Sequence, residues 1–187
     1  MIGAQSLIKA LPATYTRPSI ITGLVTANVG FYGMYMLSCG PSRQRMSRIY
    51  TLQPESGPQS LFTFHFAHTS LLPLLFNCGV LATLGASHLA VQGCASFMTV
   101  YGASLGVGAL MSAADMRNNP NQTQAGGMAG SAGLIAYHAM RNPSWFRMRH
   151  GAPAAILGSL LMYGMLYDDK AALGGVSAGY AAFLLAL

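Results

Sequence analysis

The feature that most constrains this chain is a series of long apolar runs with little charge inside them. Charged residues make up only 7% of the 187 residues, whereas hydrophobic residues make up 52%. An average soluble domain carries about 25% charged residues, so this chain has too few charges to cover a soluble surface. Long apolar runs are typical of helices that cross a membrane. We therefore expect an all-α membrane protein that crosses the bilayer several times.

The number of runs predicts a bundle of six transmembrane helices. The runs cover residues 18–39, 64–86, 94–114, 126–140, 152–167 and 171–187. Several of them are close to the lower limit of about 17 residues for crossing the hydrocarbon layer. The chain is accordingly divided into an N-terminal segment, 1–17, and a six-helix transmembrane domain, 18–187.

The distribution of basic residues between the loops predicts the orientation of the helices. Loops on the N-terminal side contain the basic residues Lys9, Arg17, Arg141, Arg147 and Arg149 and no acidic residue. Loops on the opposite side mix basic and acidic residues. Because basic loops stay on the cytoplasmic or matrix side, both termini are expected there. The net charge of +6 does not indicate nucleic-acid binding, since the basic residues are scattered and form no dense patch.

Glycines recur at the spacing of helix contacts in three of the runs. Gly102 and Gly106 form one GxxxG pair, and Gly175 and Gly179 form another. The fourth run begins with a further cluster that includes Gly127 and Gly130. Small residues at this spacing let helix backbones approach closely within a membrane. We expect these glycines to be the packing positions of a compact bundle.

The stretch GGMAGSAGLIAY, residues 126–137, has the form of a Gly-x-Ser-Gly active-site turn without its serine. Ala129 stands where the nucleophile belongs. The stretch is therefore either an active-site turn that lost its nucleophile, a turn in which Ser131 takes that role, or a contact between helices.

Residues 66–101 carry a pattern that resembles the second and third helices of the rhomboid family of intramembrane serine proteases. The matching positions are His68, Asn77, Leu81, Gly85, Gly93, Phe97 and Tyr101. Residues 18–39 are similar to the family's first helix, and AALGGVSAGYAAF, residues 171–183, is similar to its last. The resemblance covers most of residues 18–187. It implies a rhomboid-like six-helix bundle.

The chain departs from the family at the positions that would carry catalysis. The resemblance places the serine nucleophile at Ala129, the last-helix histidine at Ala172 and an oxyanion-binding histidine at Pro73; only the oxyanion-type Asn77 is retained. Acyl transfer by this route needs a nucleophile and a base that takes its proton. Alanine supplies neither, so we expect a pseudoprotease without enzymatic activity.

The remaining polar residues suggest no alternative active site or metal site. Ser131 is turned about 200° from Ala129 on a helix and lies too far along the axis from His138 for a hydrogen bond. His65 and His68 are one turn apart but lack a third ligand at suitable spacing, so no metal is expected. Asn77 is either a relic of the oxyanion site or a hydrogen-bond partner between helices, and the second role is favoured because a buried amide in lipid must be paired.

The first 18 residues contain Lys9, Arg17, serine and threonine but no acid, which is compatible with a mitochondrial address. The hypothesis we prefer is a structural subunit of a multisubunit complex of the mitochondrial inner membrane, in the respiratory chain or ATP synthase, with both termini in the matrix. Its expected partners are other membrane subunits and lipids. No cofactor is expected, and bound phospholipid such as cardiolipin is compatible with this setting.

Two other functions compete with this hypothesis. One is a client-binding pseudoprotease that aids membrane-protein translocation or dislocation, as derlins do. The other is an active intramembrane enzyme or a transporter. The sequence ends at Leu187 inside the last apolar run. We expect no adaptor-binding tail beyond it, which favours the structural subunit.

Overall fold

The chain is all-α over the residues that the structure describes. The structure is a computed structural model, and it describes residues 20–119, 121, 123–125, 128–141 and 170–185. Helices account for 84% of these residues, and none of them forms a strand. The helices are α1 (Ile20–Leu37), α2 (Gly40–Tyr50), α3 (Ser60–Thr63), a 3₁₀ turn (Phe64–Phe66), α4 (Leu71–Val80), a π-helical turn (Leu81–Gly85), α5 (Ala86–Asn118), α6 (Ala129–Arg141) and α7 (Lys170–Leu185).

Two stretches of the described chain are long and apolar enough to cross a membrane, Ile20–Leu37 and Leu71–Asn118. A core helix of a soluble protein would be mostly buried, but only 11% of the apolar window of the first stretch and 33% of that of the second are buried. Large hydrophobic side chains such as Leu72, Val91 and Leu110 are exposed. The expected all-α class is confirmed, and the outward apolar surface is consistent with a membrane. The fifth predicted span, 152–167, and the segment 1–17 lie outside the described residues.

The second stretch reverses direction at Gly93 and therefore consists of two helical arms. As one straight helix its 48 residues would extend about 72 Å, more than twice the hydrocarbon thickness. Gly93 interrupts it with φ 81° and ψ 174°, a conformation open almost only to glycine. The two arms lie side by side, because a Cβ atom built at Gly85 would be 3.4 Å from the Phe97 ring. The first helical arm thus covers 71–92, whereas the second predicted run covers 64–86.

The centre of the fold is a close contact between α5, α6 and α7. A Cβ atom built at Gly175 would lie 2.7 Å from the Cα atom of Ala129, and one built at Gly179 would lie 2.8 Å from the Cα atom of Gly133. On the α5 side, a Cβ atom at Gly174 would lie 2.7 Å from the Cα atom of Gly108. The backbones are in contact, as helix packing in membranes favours. α6 and α7, which belong to the fourth and sixth runs, thus meet at Gly175 and Gly179.

The packing face of α5 differs from the predicted one. Around Gly102 and Gly106 no atom of the described chain lies within 4 Å of a built Cβ, so these glycines are not packing positions among the described helices. The contact is made instead by Ser104 and Gly108, which lie two residues further along. A two-residue step turns a helix by about 200°, so the two sets occupy opposite faces. Gly130 is confined by the Tyr101 ring, as a packing position should be, and Gly127 lies outside the described residues.

Three elements share one end of the bundle. Tyr137, near the end of α6, donates a hydrogen bond to Gln92 beside the Gly93 turn, with an O···O distance of 2.6 Å. The Tyr137 ring centroid is 6.3 Å from that of Phe183, near the end of α7. The Gly93 turn and the C-terminal ends of α6 and α7 therefore lie together. We call this the Gly93 end of the bundle.

Candidate functional site

The positions that the rhomboid resemblance assigns to catalysis lie in or next to the central helix contact. Ala129 is the first residue of α6 and is fully buried, and Ala172 in the first turn of α7 is 3% exposed. Ala129 packs against Gly175, which follows Ala172 by less than one turn, and a Cβ at Gly108 would lie 2.5 Å from its methyl group. The space at Ala129 is thus occupied by helix backbone.

Pro73 and Asn77 lie on α4, one helical turn apart. Pro73 is in the first turn, where its missing N–H disrupts no helical hydrogen bond. Its ring is half-buried and has no polar hydrogen to donate to an oxyanion. Asn77 is 3% exposed and reaches into the bundle. Of the four positions, only Asn77 carries a polar side chain.

Asn77 is the centre of a buried network that we call the Asn77 network: Asn28, His68, Asn77 and Ser131. The members come from α1, from the segment before α4, from α4 and from α6, and each is at most 3% exposed. Asn77 Nδ2 donates to Asn28 Oδ1 at 2.9 Å, and the Ser131 hydroxyl donates to Asn77 Oδ1. Asn77 is therefore a hydrogen-bond partner between helices, the role that the sequence favours.

The proton positions in the network follow from its acceptors. Asn28 Oδ1 only accepts, so His68 Nε2, 2.9 Å away, must carry a proton and donate it. His68 Nδ1 is then an acceptor, and within the described chain no hydrogen bond reaches it. Burial lowers the pKa of His68, which precedes α4 and lies outside both candidate spans, to about 4. The imidazole is therefore neutral at physiological pH.

This arrangement does not activate Ser131. Its proton goes to an amide oxygen, and an amide is not a base that removes a proton from a hydroxyl. The imidazole in the network donates to Asn28. The other histidine considered for Ser131, His138, pairs elsewhere: its Nε2 lies 3.2 Å from His88 Nδ1. Ser131 acts as a hydrogen-bond donor that ties α6 to α4.

A second polar cluster, which the sequence does not predict, lies at the Gly93 end. It consists of His88, Gln92, Ser96, Tyr137, His138 and Arg141. Ser96 Oγ is 2.9 Å from His88 Nε2, and Gln92 Oε1 accepts from both Ser96 and Tyr137. Arg141 Nη1 donates to the Tyr137 hydroxyl at 3.1 Å. The sequence signal for this cluster is the spacing of its members on α5: His88, Gln92 and Ser96 follow one another at intervals of four residues, with Gly93 between the last two.

The described residues include no group of three or more histidine, cysteine or acidic side chains that could hold a metal ion. His65 and His68 have separate partners, since His65 Nε2 lies 2.9 Å from the carbonyl oxygen of Leu105 whereas His68 faces Asn28. The three cysteines are free thiols. The histidine pair that the sequence weighs as a metal site is thus used for two different helix contacts.

An apolar groove of about 350 Å³ opens beside the central helix contact. Its walls are side chains of α5 and α7, with Tyr137 of α6 at one end. The lining residues are Ser96, Thr99, Val100, Ala103, Val107, Tyr137, Ala178, Ala181, Ala182 and Leu185. The groove starts at the Gly93 end, because Ser96 and Tyr137 belong both to its lining and to the polar cluster there.

Neither a model of a known protein family nor the sequence of a curated protein matches this chain.

Proposed function

We propose that this chain is a non-catalytic, rhomboid-like membrane subunit that supports the structure of a larger complex. Within this proposal the complex is a multisubunit assembly of the mitochondrial inner membrane, either of the respiratory chain or the ATP synthase. The helical bundle serves as a packing module, with other membrane subunits and lipids as its partners and both termini in the matrix.

The observation that carries the proposal is the close packing at Ala129. A catalytic serine needs a base beside it and free space for a substrate carbonyl. At Ala129 the neighbouring atoms are the backbones of Gly175 and Gly108, and at Ala172 the side chain is a methyl group that is 3% exposed. This close packing supports a role of the site in helix association.

The exposed apolar surface supports the membrane part of the proposal. α1 buries little of its own surface, yet Asn28 of α1 is bonded to His68 and Asn77. A cleaved leader peptide would not supply a buried hydrogen-bond partner to the fold. α1 is therefore an integral part of the bundle, and its apolar outer face needs lipid or another subunit to cover it.

The first test is a native gel of solubilised membranes, which shows the proteins that migrate together with this chain. A structural subunit migrates with one large complex, at fixed stoichiometry, through detergent exchange. Migration as a free monomer, with only transient and client-dependent crosslinks, would contradict this and support the client-binding pseudoprotease instead.

The second test concerns catalysis and uses a fluorophosphonate probe, which reacts with activated serines. We expect no labelling of the full chain in native membranes. Labelling that disappears in Ser131→Ala would show an active serine enzyme and overturn the pseudoenzyme proposal. A rhomboid protease assayed in the same membranes is the positive control.

A further inference from the structure

We propose that the groove between α5 and α7 binds one acyl chain of an anionic phospholipid, whose phosphate is held by Arg141 at the Gly93 end. This inference rests on the proposed membrane location, but it does not depend on the loss of catalysis or on the identity of the complex.

The shape and lining of the groove fit a hydrocarbon chain. On α5 the lining positions 96, 99, 100, 103 and 107 follow one helix face and extend over about 16 Å at 1.5 Å per residue. The opposite wall is formed by the small side chains Ala178, Ala181 and Ala182. The middle and far parts of the lining are apolar, and hydroxyl groups occur only near the Gly93 end. An elongated, mostly apolar groove with one polar end matches an amphiphile.

Arg141 supplies a cation at the polar end. It is exposed and directed by its bond to the Tyr137 hydroxyl, and Tyr137 lines the groove. A guanidinium has five N–H donors, so one bond to Tyr137 leaves donors for a phosphate, which arginine binds in a bidentate manner. In the described part of the chain Arg141 makes no ion pair with a carboxylate.

The charges at this end favour an anion over a neutral headgroup. The described acidic residues are Glu55 and Asp115. Asp115 is about 28 Å from Ser96 along α5. Glu55 follows Leu52, which pairs with Gln124 next to Asp115. Both carboxylates are thus at the opposite end, and neither repels a phosphate at Arg141. An anionic phospholipid fits better than a partner helix, because a helix is too wide for a groove of this volume.

The proposal is tested by lipid retention in native mass spectrometry of the purified full chain, with phosphatidylglycerol and phosphatidylcholine of identical acyl chains as probes. We expect one phosphatidylglycerol to be retained in preference to phosphatidylcholine. Arg141→Gln lowers this preference about fivefold, the effect of one basic side chain near a lipid surface. Arg45→Gln is the matched control, because Arg45 is also exposed but lies on α2, away from the groove.

A second pair of variants tests the acyl-chain site. Ala103→Phe fills the groove from an exposed position of α5 and should abolish retention of both lipids. Ala95→Phe places the same ring on an exposed position of α5 outside the lining and should leave retention unchanged. Both proteins are first checked for thermal unfolding like the wild type, so that a folding defect is recognised.

A photoreactive phosphatidylglycerol, with a diazirine on one acyl chain, locates the lipid. Adducts on 96–107 or 178–185 that are lost in Ala103→Phe support the proposal. Equal retention of the two lipids, equal effects of Arg141→Gln and Arg45→Gln, or adducts only outside the groove would overturn it. Lipid adducts found only on residues 152–167 or on a partner subunit would also overturn it. That result would leave the native-gel test of the proposed function unaffected.

Discussion

The central helix contact and the Asn77 network share α6 but hold the bundle together by opposite means. In the contact, α6 and α7 approach so closely that backbone meets backbone, and the residues involved, such as Ala129 and Gly175, have almost no side chain. In the network, α1, α4 and α6 are joined by polar side chains that reach across the bundle. One region depends on the absence of side-chain atoms, the other on their exact placement.

This difference determines which substitutions each region tolerates. Within a lipid environment, apolar surfaces gain little from burial against each other, so close packing and hydrogen bonds carry the association. A close contact fails as soon as any atom is added to it. A hydrogen-bonded network fails when one partner is lost and another is left buried without a bond. Ala129 and Ala172, which the resemblance assigns to the dyad positions, lie in or next to the first region, and Asn77 lies in the second.

The largest expected effect is the loss of the helix contact in Gly175→Leu. The new side chain would collide with the backbone of Ala129, which cannot move aside as a side chain could. We expect a loss of more than about 3 kcal/mol in the free energy of unfolding, seen as loss of monodisperse protein in detergent gel filtration.

Gly102→Leu is the matched control for this variant. It has the same chemistry on the face of α5 that has no described neighbour within 4 Å. It should be neutral or slightly stabilising, because leucine favours a helix over glycine. Equal loss of folded protein in both variants would contradict the role of Gly175 as a packing position.

A smaller loss is expected when Asn77 is replaced by leucine. Asn77→Leu keeps the volume but removes the acceptor of Ser131 and the donor to Asn28. Leaving these buried groups without partners should cost about 2 kcal/mol, measured as a lower midpoint of thermal unfolding in detergent. Thr83→Val, on the exposed face of the adjacent turn, should stay within about 0.5 kcal/mol. A loss for Asn77→Leu no larger than that control would contradict a stabilising network.

The sequence predicts the helices better than the faces they use. The predicted runs 18–39, 94–114 and 171–187 match α1, the second arm of α5 and α7 within a few residues, because apolar length is a local property. The second run, 64–86, differs from the helical arm over 71–92, since the end of that arm is set by the reversal at Gly93. An exposed apolar face and a packing face look alike in composition, which is why Gly102 and Gly106 are predicted in place of Ser104 and Gly108.

The candidate site shows the same limit. The sequence identifies Ala129, Ala172, Pro73 and Asn77 through a motif, and the structure places all four on helices. The partner of Asn77 on α1, Asn28, is missed, although a lone amide in an apolar run is a signal for an interhelical bond. The His88–His138 pair is missed because 50 residues separate its members, and no spacing rule connects residues that meet only in the folded bundle.

The smallest expected effect is a loss of stability at acid pH, which should arise in the Asn77 network and not in the central helix contact. The pKa of His68 is lowered by burial to about 4, below the ordinary value of 6.5. As pH falls from 6.5, the unfolded state takes up a proton that the folded state does not bind, so the free energy of unfolding decreases. Between pH 6.5 and pH 5.5 the decrease should be about 1 kcal/mol. His68→Gln should lose this part of the pH dependence. His88 and His138 are present in both the wild type and this variant, so they do not account for the difference.

Hydrogen exchange in detergent shows where the acid acts. After correction for intrinsic rates, amides of α1 should exchange faster at pH 5.5 than at pH 7.5, because His68 holds Asn28 in place. Amides of residues 171–179 should change little, because the contact there contains no titratable side chain. Uniform acceleration of both regions, or the same pH response in His68→Gln, would contradict the assignment of the acid sensitivity to the Asn77 network. An acid response confined to α1 would mean that the close contact persists without the network, and that the two regions stabilise the bundle independently.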